Sequence, residues 1–400
     1  MPRGLRWLGA RWLPLLSVAV WALAENPLHY ARECAAPADL ASIQERDRAV
    51  LAEKAFWVAS DNVSYAAMAE RPFSDDYLVR RSPYCYRVVA PLLASGLSRL
   101  GLGVCWSFWF LSLLSLAAAA LGLVELGTTF GLTVGEGCFA ALLFVSGAKT
   151  LNTFASVLVD PGAWAAMFWA WTAWRRRALG AAFVLGCLSV AWRETSIFLM
   201  VPIAVDALRE RDRRVGAAIV GAGTLAVVAA LHALLPPPSN RVSLHYILVW
   251  AAMALRSALR ELRTWLPEYA LGLGVAASLL PVYVRSARSS RFLSAELYLL
   301  TLVLFAFPFE IGRLMVPGGA IVAVLAVHAL RAFPRTRGRV LGGAVLGGAC
   351  LVVALWLAGR GAFYAWTLVV TALAIASNVM LPKAADRPPP LDAAVSGDAV

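Results

Sequence analysis

The chain has 400 residues, of which 60% are hydrophobic and only 15% are charged, and its mean hydropathy is +0.70. So apolar a composition excludes a soluble globular protein, a disordered chain and a small disulfide-framework fold. The net charge of +12 comes largely from short basic runs beside apolar segments. Basic residues in that position set membrane topology, and we therefore predict no nucleic-acid partner.

The first predicted element is an apolar segment that follows a basic N-terminus and ends near Ala24. A cleaved signal peptide has the same pattern, but we interpret the segment as an uncleaved first span. The long hydrophilic stretch that follows, 25–103, mixes charges with aromatic residues. This composition indicates ordered amphipathic helices rather than a linker, and its last part, 88–102, has the pattern of a helix on the membrane surface.

Apolar segments separated by short loops fill the rest of the chain, a pattern typical of an all-α, polytopic transmembrane helix bundle. Because a helix needs about 20 residues to cross the hydrocarbon core, we predict about ten to twelve spans in a single domain over 1–381. A disordered tail, 382–400, follows. The predicted spans lie near 7–24, 104–126, 136–151, 160–174, 178–192, 195–208, 215–235, 266–284, 292–308, 314–330, 340–358 and 362–381.

The basic clusters, including 175–177 and 209–214, orient these spans by the positive-inside rule. They place both termini in the cytoplasm and predict a multi-pass protein of a bacterial inner membrane. The long loop and the short connections at the opposite ends of the spans then lie together on the outer, periplasmic face. A second surface helix is predicted there over 247–265.

The long loop contains the first candidate site residues. Asp61 and Tyr65 are four residues apart, so in a helix an acid and an aromatic ring lie on one face. Such a pair suits a sugar, because the carboxylate can accept a hydroxyl proton while the ring packs against C–H groups. The alternative is a solvated acid beside an aromatic anchor at the membrane interface.

Further candidates come from the outer ends of three predicted spans. Asp160 precedes a proline and fits either a site or a helix cap. Arg193 and Glu194 lie at the tip of two short apolar helices, where charges are costly unless they are paired or lie in a cavity. Glu310 and Arg313 either contribute to the same cavity or pair with each other. Carboxylates and guanidiniums on one face suggest transfer chemistry on a phosphorylated lipid.

These residues resemble a known family, the membrane glycosyltransferases of the GT-C type, which includes dolichyl-phosphate-mannose-type mannosyltransferases. The resemblance covers roughly 60–330 and rests on several short motifs. They are Asp61 with Tyr65, Arg71-Pro72-Phe73 leading to Arg87 and Pro91, Asp160-Pro161, Arg193-Glu194-Thr195 and Glu310-x-x-Arg313.

The resemblance implies a polyprenyl-phosphate-linked sugar donor and a lipid, glycan or protein acceptor. It also implies that Asp61 acts as the base or organises the acceptor, with Asp75 and Asp76 as alternative acids in the same loop. The implied catalytic residues include Asp160 and Glu194, and a divalent metal, Mg²⁺ or Mn²⁺, is a candidate cofactor. The expected reaction is an inverting single displacement in which Arg87, Arg193 or Arg313 stabilises the departing lipid phosphate.

The alternative function is a polytopic transporter or lipid flippase, which the span count and the charges at membrane depth also suit. A further expectation concerns Cys34 and Cys85, the two cysteines outside the apolar spans. Both belong to the predicted outer loop on the oxidising side of the membrane, so the expectation is either a disulfide between them or two unpaired thiols.

Overall fold

The computed structural model of the chain describes residues 61–81, 84–145, 159–235, 290–306 and 314–330, with positions 11, 12, 14–16, 18, 19, 41–45, 147, 150, 238 and 283. Within these ranges all regular elements are helical and there is no strand, which confirms the all-α prediction. The α-helices are α1 Asn62–Glu70, α2 Val89–Leu97, α3 Val104–Thr129, α4 Val134–Val145, α5 Asp160–Arg175, α6 Leu179–Trp192, α7 Met200–Arg209, α8 Arg214–Leu234, α9 Leu293–Ala306 and α10 Val316–Ala329.

Two helical segments in the described part of the chain are long and apolar enough to cross a membrane. They are Val104–Thr129 and Arg211–Leu234, each with a mean hydropathy of 2.0. The other apolar helices are shorter, with 10–17 residues. A membrane location is therefore supported by length and composition, whereas the number of spans and their orientation stay predictions. The expected spans at 266–284, 340–358 and 362–381 and the surface helix at 247–265 lie outside the described residues.

The ends of the helices gather at two opposite ends of the structure. At the basic end, defined by Arg175–Arg177, the Arg175 guanidinium donates to the carbonyl oxygen of Thr129 at 3.3 Å, so α3 and α5 both finish there. At the loop end, defined by Tyr65, Arg87 and Glu194, the ring of His232 near the end of α8 stacks on Tyr86 with centroids 3.9 Å apart. Helices α3, α5 and α7 thus run toward the basic end, and α6 and α8 run back.

The core lies along α10, all of whose residues are buried. Next to it, the indole of Trp171 packs edge-to-face against Phe130 and Tyr298, with ring centroids 5.8 and 5.3 Å away. Edge-to-face pairs place the positive ring edge against the negative face of its neighbour, so these contacts add to the gain from apolar burial. The core therefore fixes α3, α5, α9 and α10 relative to one another.

Helix α8 differs from the core helices because only 11% of its most apolar window is buried. Val215, Ile219 and Leu225 have 71%, 46% and 58% of their surface exposed. A helix that is apolar on an unpacked face suits hydrocarbon rather than water.

On the predicted surface segment 88–102, α2 continues into a π-turn at Ser98–Leu102, where Leu100 is 81% exposed.

A buried carboxylate lies within α3, near the basic end. Glu125 is bound by the guanidinium of Arg11, whose Nε donates to Oε1 at 2.7 Å, and also by Arg176. The Arg11 side chain is only 9% exposed, whereas that of Arg176 is 48% exposed. Because a buried guanidinium needs its counter-charge, this pair holds Arg11 against α3.

We predict that Glu125→Gln lowers the free energy of unfolding by about 3–5 kcal/mol, since it leaves Arg11 buried without a carboxylate. Arg176→Gln should cost only about 0–1 kcal/mol, because that side chain is half exposed. Denaturant unfolding in mixed micelles measures both values. Equal small losses of unfolding free energy in the two variants would contradict the role of Glu125 as the counter-charge of Arg11. The double variant Arg11→Met with Glu125→Leu should recover most of the stability that Glu125→Gln loses.

Candidate functional site

The centre of the candidate site is the guanidinium of Arg87 at the loop end. Its Nε donates to Oε2 of Glu194 at 2.9 Å, its Nη2 binds the same carboxylate, and its Nη1 donates to the hydroxyl oxygen of Tyr65 at 2.8 Å. Tyr65 is fully buried in α1, and Glu194 begins the short 3-10 turn between α6 and α7. One arginine therefore joins the first loop to the tip of a helix pair that is more than 100 residues away in sequence.

A second ion pair lies next to the first. The guanidinium of Arg193 pairs with the carboxylate of Asp160, and both side chains are buried. Asp160 is the first residue of α5, and the N-cap is Val159, so the capping alternative does not describe its role. Arg193 and Glu194 are adjacent in sequence, and each is paired with a residue from a distant segment.

Close packing of α5 and α6 brings Arg193 to Asp160. An ideal Cβ on Gly162 would lie 2.0 Å from Cε2 of Trp192, so a side chain larger than hydrogen would displace the indole. Trp192 is the last residue of α6 and directly precedes Arg193. The glycine thus permits the approach on which the Arg193–Asp160 pair depends.

Sequence reasoning missed two residues of this cluster, Arg81 and Tyr84. Arg81 is fully buried, lies over the Tyr84 ring with Cζ 4.9 Å from the centroid, and donates from Nη1 to the hydroxyl of Ser64 at 3.4 Å. The Arg87 guanidinium also lies over the Tyr84 ring, with Cζ 5.5 Å from the ring centroid. The available signal was the spacing of Arg81, Tyr84 and Arg87, which repeats every three residues.

The predicted acids of the first loop lie in two different environments. Asp61 is half-buried directly before α1, and its carbonyl oxygen accepts the backbone N–H of Tyr65 at 3.2 Å. It is therefore one helical turn from the tyrosine that binds Arg87. Asp75 pairs with Arg80 and has an 83% exposed side chain, while Asp76 forms an exposed pair with Arg71 at 2.5 Å.

The structure thus brings together Tyr65, Arg87, Asp160, Arg193 and Glu194, with Asp61 one turn away. The ion pairs of Arg71, Asp75 and Asp76 are with one another or with Arg80, and not with this set. Glu310 and Arg313 lie outside the described residues. In the described part of the chain, no group of three or more His, Cys, Asp or Glu side chains is arranged to hold a metal ion, and the Mg²⁺ or Mn²⁺ cofactor stays a prediction.

The ion pair with Arg87 dominates the electrostatics at Glu194, which lies in a turn outside the apolar helices. Burial alone would raise the pKa of Glu194, but the charge and hydrogen bonds of Arg87, with the charge of Arg193, lower this pKa to about 2. Burial likewise opposes the charged form of Arg87, yet Glu194 and Tyr65 raise the pKa of Arg87 well above its ordinary value. A carboxylate with so low a pKa is a weak proton acceptor, so Glu194 is better suited to fixing Arg87 than to acting as a base.

A shallow recess with a cavity volume of about 20 Å³ adjoins the cluster. Its walls are mainly apolar and include Met68, Phe73, Pro91 and Leu92, with Cys85 beside them. Burial is the largest cause that raises the pKa of the Cys85 thiol to about 12. Such a thiol is unreactive at neutral pH, and the recess is therefore an apolar surface rather than a nucleophilic site.

Of the two alternatives for Cys34 and Cys85, the disulfide is wrong. Cys85 is a free, buried cysteine, because the 3-10 turn Tyr84–Tyr86 directs its side chain into the packed side of the loop. Cys105, the second residue of the apolar helix α3, is disulfide-bonded instead. Cysteine positions relative to apolar segments therefore did not identify the residue that is oxidised.

The low pKa of Glu194 predicts how stability depends on pH. A carboxylate whose pKa falls on folding from 4.5 to about 2 stabilises the folded state above pH 4.5, and this contribution is lost as the pH falls toward 2. Thermal unfolding in detergent between pH 3 and 7 should show this slope for the unmodified protein and a smaller one for Glu194→Gln. Asp75→Asn, which changes an exposed carboxylate, should keep the original slope; an unchanged slope in Glu194→Gln would refute the assignment.

No family model matches the chain, and comparisons with curated proteins and with solved structures find no similar protein. The loop-end residues themselves, and the resemblance of their motifs, are therefore the features that indicate a function.

Proposed function

We propose that the protein is a membrane glycosyltransferase that moves a sugar from a polyprenyl-phosphate donor to an acceptor hydroxyl at the loop end. The observation that carries the proposal is the Arg87 cluster, in which a buried guanidinium is held by Glu194 and Tyr65 one helical turn from Asp61. Donors that are already oriented stabilise developing phosphate charge without reorganisation, which is the main requirement of such a transfer.

In the proposed reaction, the acceptor hydroxyl oxygen attacks the anomeric carbon and its proton passes to the carboxylate of Asp61. The bond between the anomeric carbon and the lipid phosphate oxygen breaks, and the phosphate leaves with the bonding electrons. Arg87 and Arg193 lie where they would compensate this charge, each with a carboxylate partner that balances it before the donor arrives. A single displacement of this kind inverts the anomeric configuration.

The surroundings of the cluster also suit a lipid-linked donor. The recess lined by Met68, Phe73, Pro91 and Leu92 offers apolar surface beside the charged residues. The Tyr65 and Tyr84 rings pack edge-to-face with centroids 5.7 Å apart and are both buried, so they hold Arg87 in place rather than contact the sugar. A polar headgroup and an apolar tail would thus each find a matching surface at the loop end.

A transporter or flippase is the second candidate, and one observation favours it. Buried charges occur at the basic end as well, where Glu125 binds Arg11 and Arg176 and where the Asp206 carboxylate accepts a hydrogen bond from Trp174 Nε1 at 3.2 Å. Charged groups near both ends of a helical bundle suit alternating access. Reconstituted vesicles distinguish the two functions, because transport moves the lipid-linked sugar without changing a covalent bond.

We predict that Asp61→Asn reduces sugar transfer by about 100- to 10,000-fold, since the amide keeps the shape but cannot accept the proton. The assay uses purified protein, radiolabelled polyprenyl-phosphate sugars and a membrane lipid extract as acceptor, with sugar incorporation as the readout. Asp75→Asn, in the same loop but 83% exposed, is the matched control and should retain activity. Full transfer by a folded Asp61→Asn protein would exclude Asp61 as the base, and loss in Asp75→Asn instead would reassign that role.

A further inference from the structure

A second recess lies at the basic end, far from the Arg87 cluster along the helices. It has a cavity volume of about 290 Å³ and is formed where the tip between α5 and α6 meets the start of α8. One side is polar and contains Arg177, Asp212 and Arg213, whereas the other contains Leu179 and Val215. Charged and apolar walls in one recess indicate a ligand that is itself amphiphilic.

The segments that flank the recess carry an excess of positive charge. Segments 175–177 and 206–214 contain seven arginines and three carboxylates. Arg177 donates to Asp212 at 2.7 Å and to Glu210 at 2.8 Å, and these pairs hold it at the rim with a side chain that is 61% exposed. Arg213 lies against the Trp174 ring with Cζ 5.6 Å from the centroid, and its Nε pairs with Glu210 at 2.8 Å, with 13% of its side chain exposed. Two oriented guanidiniums with cationic neighbours suit a phosphate group.

The apolar side continues directly onto the exposed face of α8. Val215 lines the recess and is 71% exposed, and Ile219 and Leu225 follow on the same helix with 46% and 58% of their surface exposed. This helix belongs to the segment Arg211–Leu234, one of the two that are long and apolar enough to cross a membrane. If the phosphate of a ligand lies at Arg177, the exposed apolar face of α8 extends from that point and can contact a hydrocarbon chain of the same ligand.

We propose that this recess binds the headgroup of an anionic phospholipid, with the phosphate at Arg177 and Arg213 and an acyl chain along α8. A soluble phosphate compound would use only the polar wall, and an uncharged lipid would use only the apolar one. The recess combines the two, and basic pockets between apolar helices are suited to anionic headgroups. The site is independent of the proposed glycosyl transfer, because it shares no residue with the loop end.

The test measures lipid binding by the full chain in detergent, using native mass spectrometry and the thermal unfolding midpoint. The probes are phosphatidylglycerol, phosphatidylcholine and soluble glycerol phosphate. We expect phosphatidylglycerol alone to remain bound and to raise the midpoint. Arg177→Asn should weaken its affinity about five-fold and the double variant with Arg213→Gln about 25-fold, on the basis of the contribution of one arginine near an anionic lipid.

Arg177→Asn is the safer variant, since Arg177 is an exposed residue with φ of 62° and asparagine tolerates that conformation. The matched control is Arg209→Gln, which removes an exposed arginine at the same end but outside the recess. It should leave the affinity unchanged. Equal binding of phosphatidylcholine, an equal shift with glycerol phosphate, or equal weakening by Arg209→Gln would each overturn the proposal.

Discussion

The ion pair between the buried guanidinium of Arg87 and the partly exposed carboxylate of Glu194 is the interaction on which the loop end depends. A guanidinium with 7% of its side chain exposed is strongly unfavourable without a counter-charge, so Arg87 restricts where the first loop can lie. Its carboxylate partner lies two residues after the end of α6, and the intervening Arg193 binds Asp160 at the start of α5. The adjacent residues Arg193 and Glu194 thereby link the first loop, the tip between α6 and α7, and the start of α5.

The same pairs explain how charges can be retained in so apolar a chain. Arg87 and Arg193 each have a carboxylate partner, and Tyr65 supplies a further acceptor to Arg87, so the cost of removing these groups from water is largely offset. The backbone contributes through Gly162, whose missing side chain lets Trp192 approach α5. Held in this way, the guanidiniums keep one orientation, which is the property that recognition of a phosphate requires.

Much of the helical architecture followed from the sequence, because long apolar segments leave few alternatives to a helix. The predicted span at 104–126 corresponds to Val104–Thr129, and that at 160–174 to Asp160–Arg175. The sequence did not show which charged side chains form ion pairs with each other, since this depends on which helices pack together. The sequence predicted that Arg193 and Glu194 are paired or lie in a cavity, but it could not name their partners, which belong to other segments. For the same reason, spacing could not show that Cys85 stays free or that Arg81 is buried.

The most direct test of this account is a double-mutant cycle on the pair, with Arg87→Met, Glu194→Leu and the combined variant compared by unfolding in detergent at pH 7. If the two groups stabilise the loop end through each other, the combined variant should lose less than the sum of the single losses, with a coupling of about 0.5–3 kcal/mol. The exposed pair of Arg71 and Asp76 serves as control and should give a coupling of about 0–1 kcal/mol. Additive losses at Arg87 and Glu194 would contradict the central role of this ion pair.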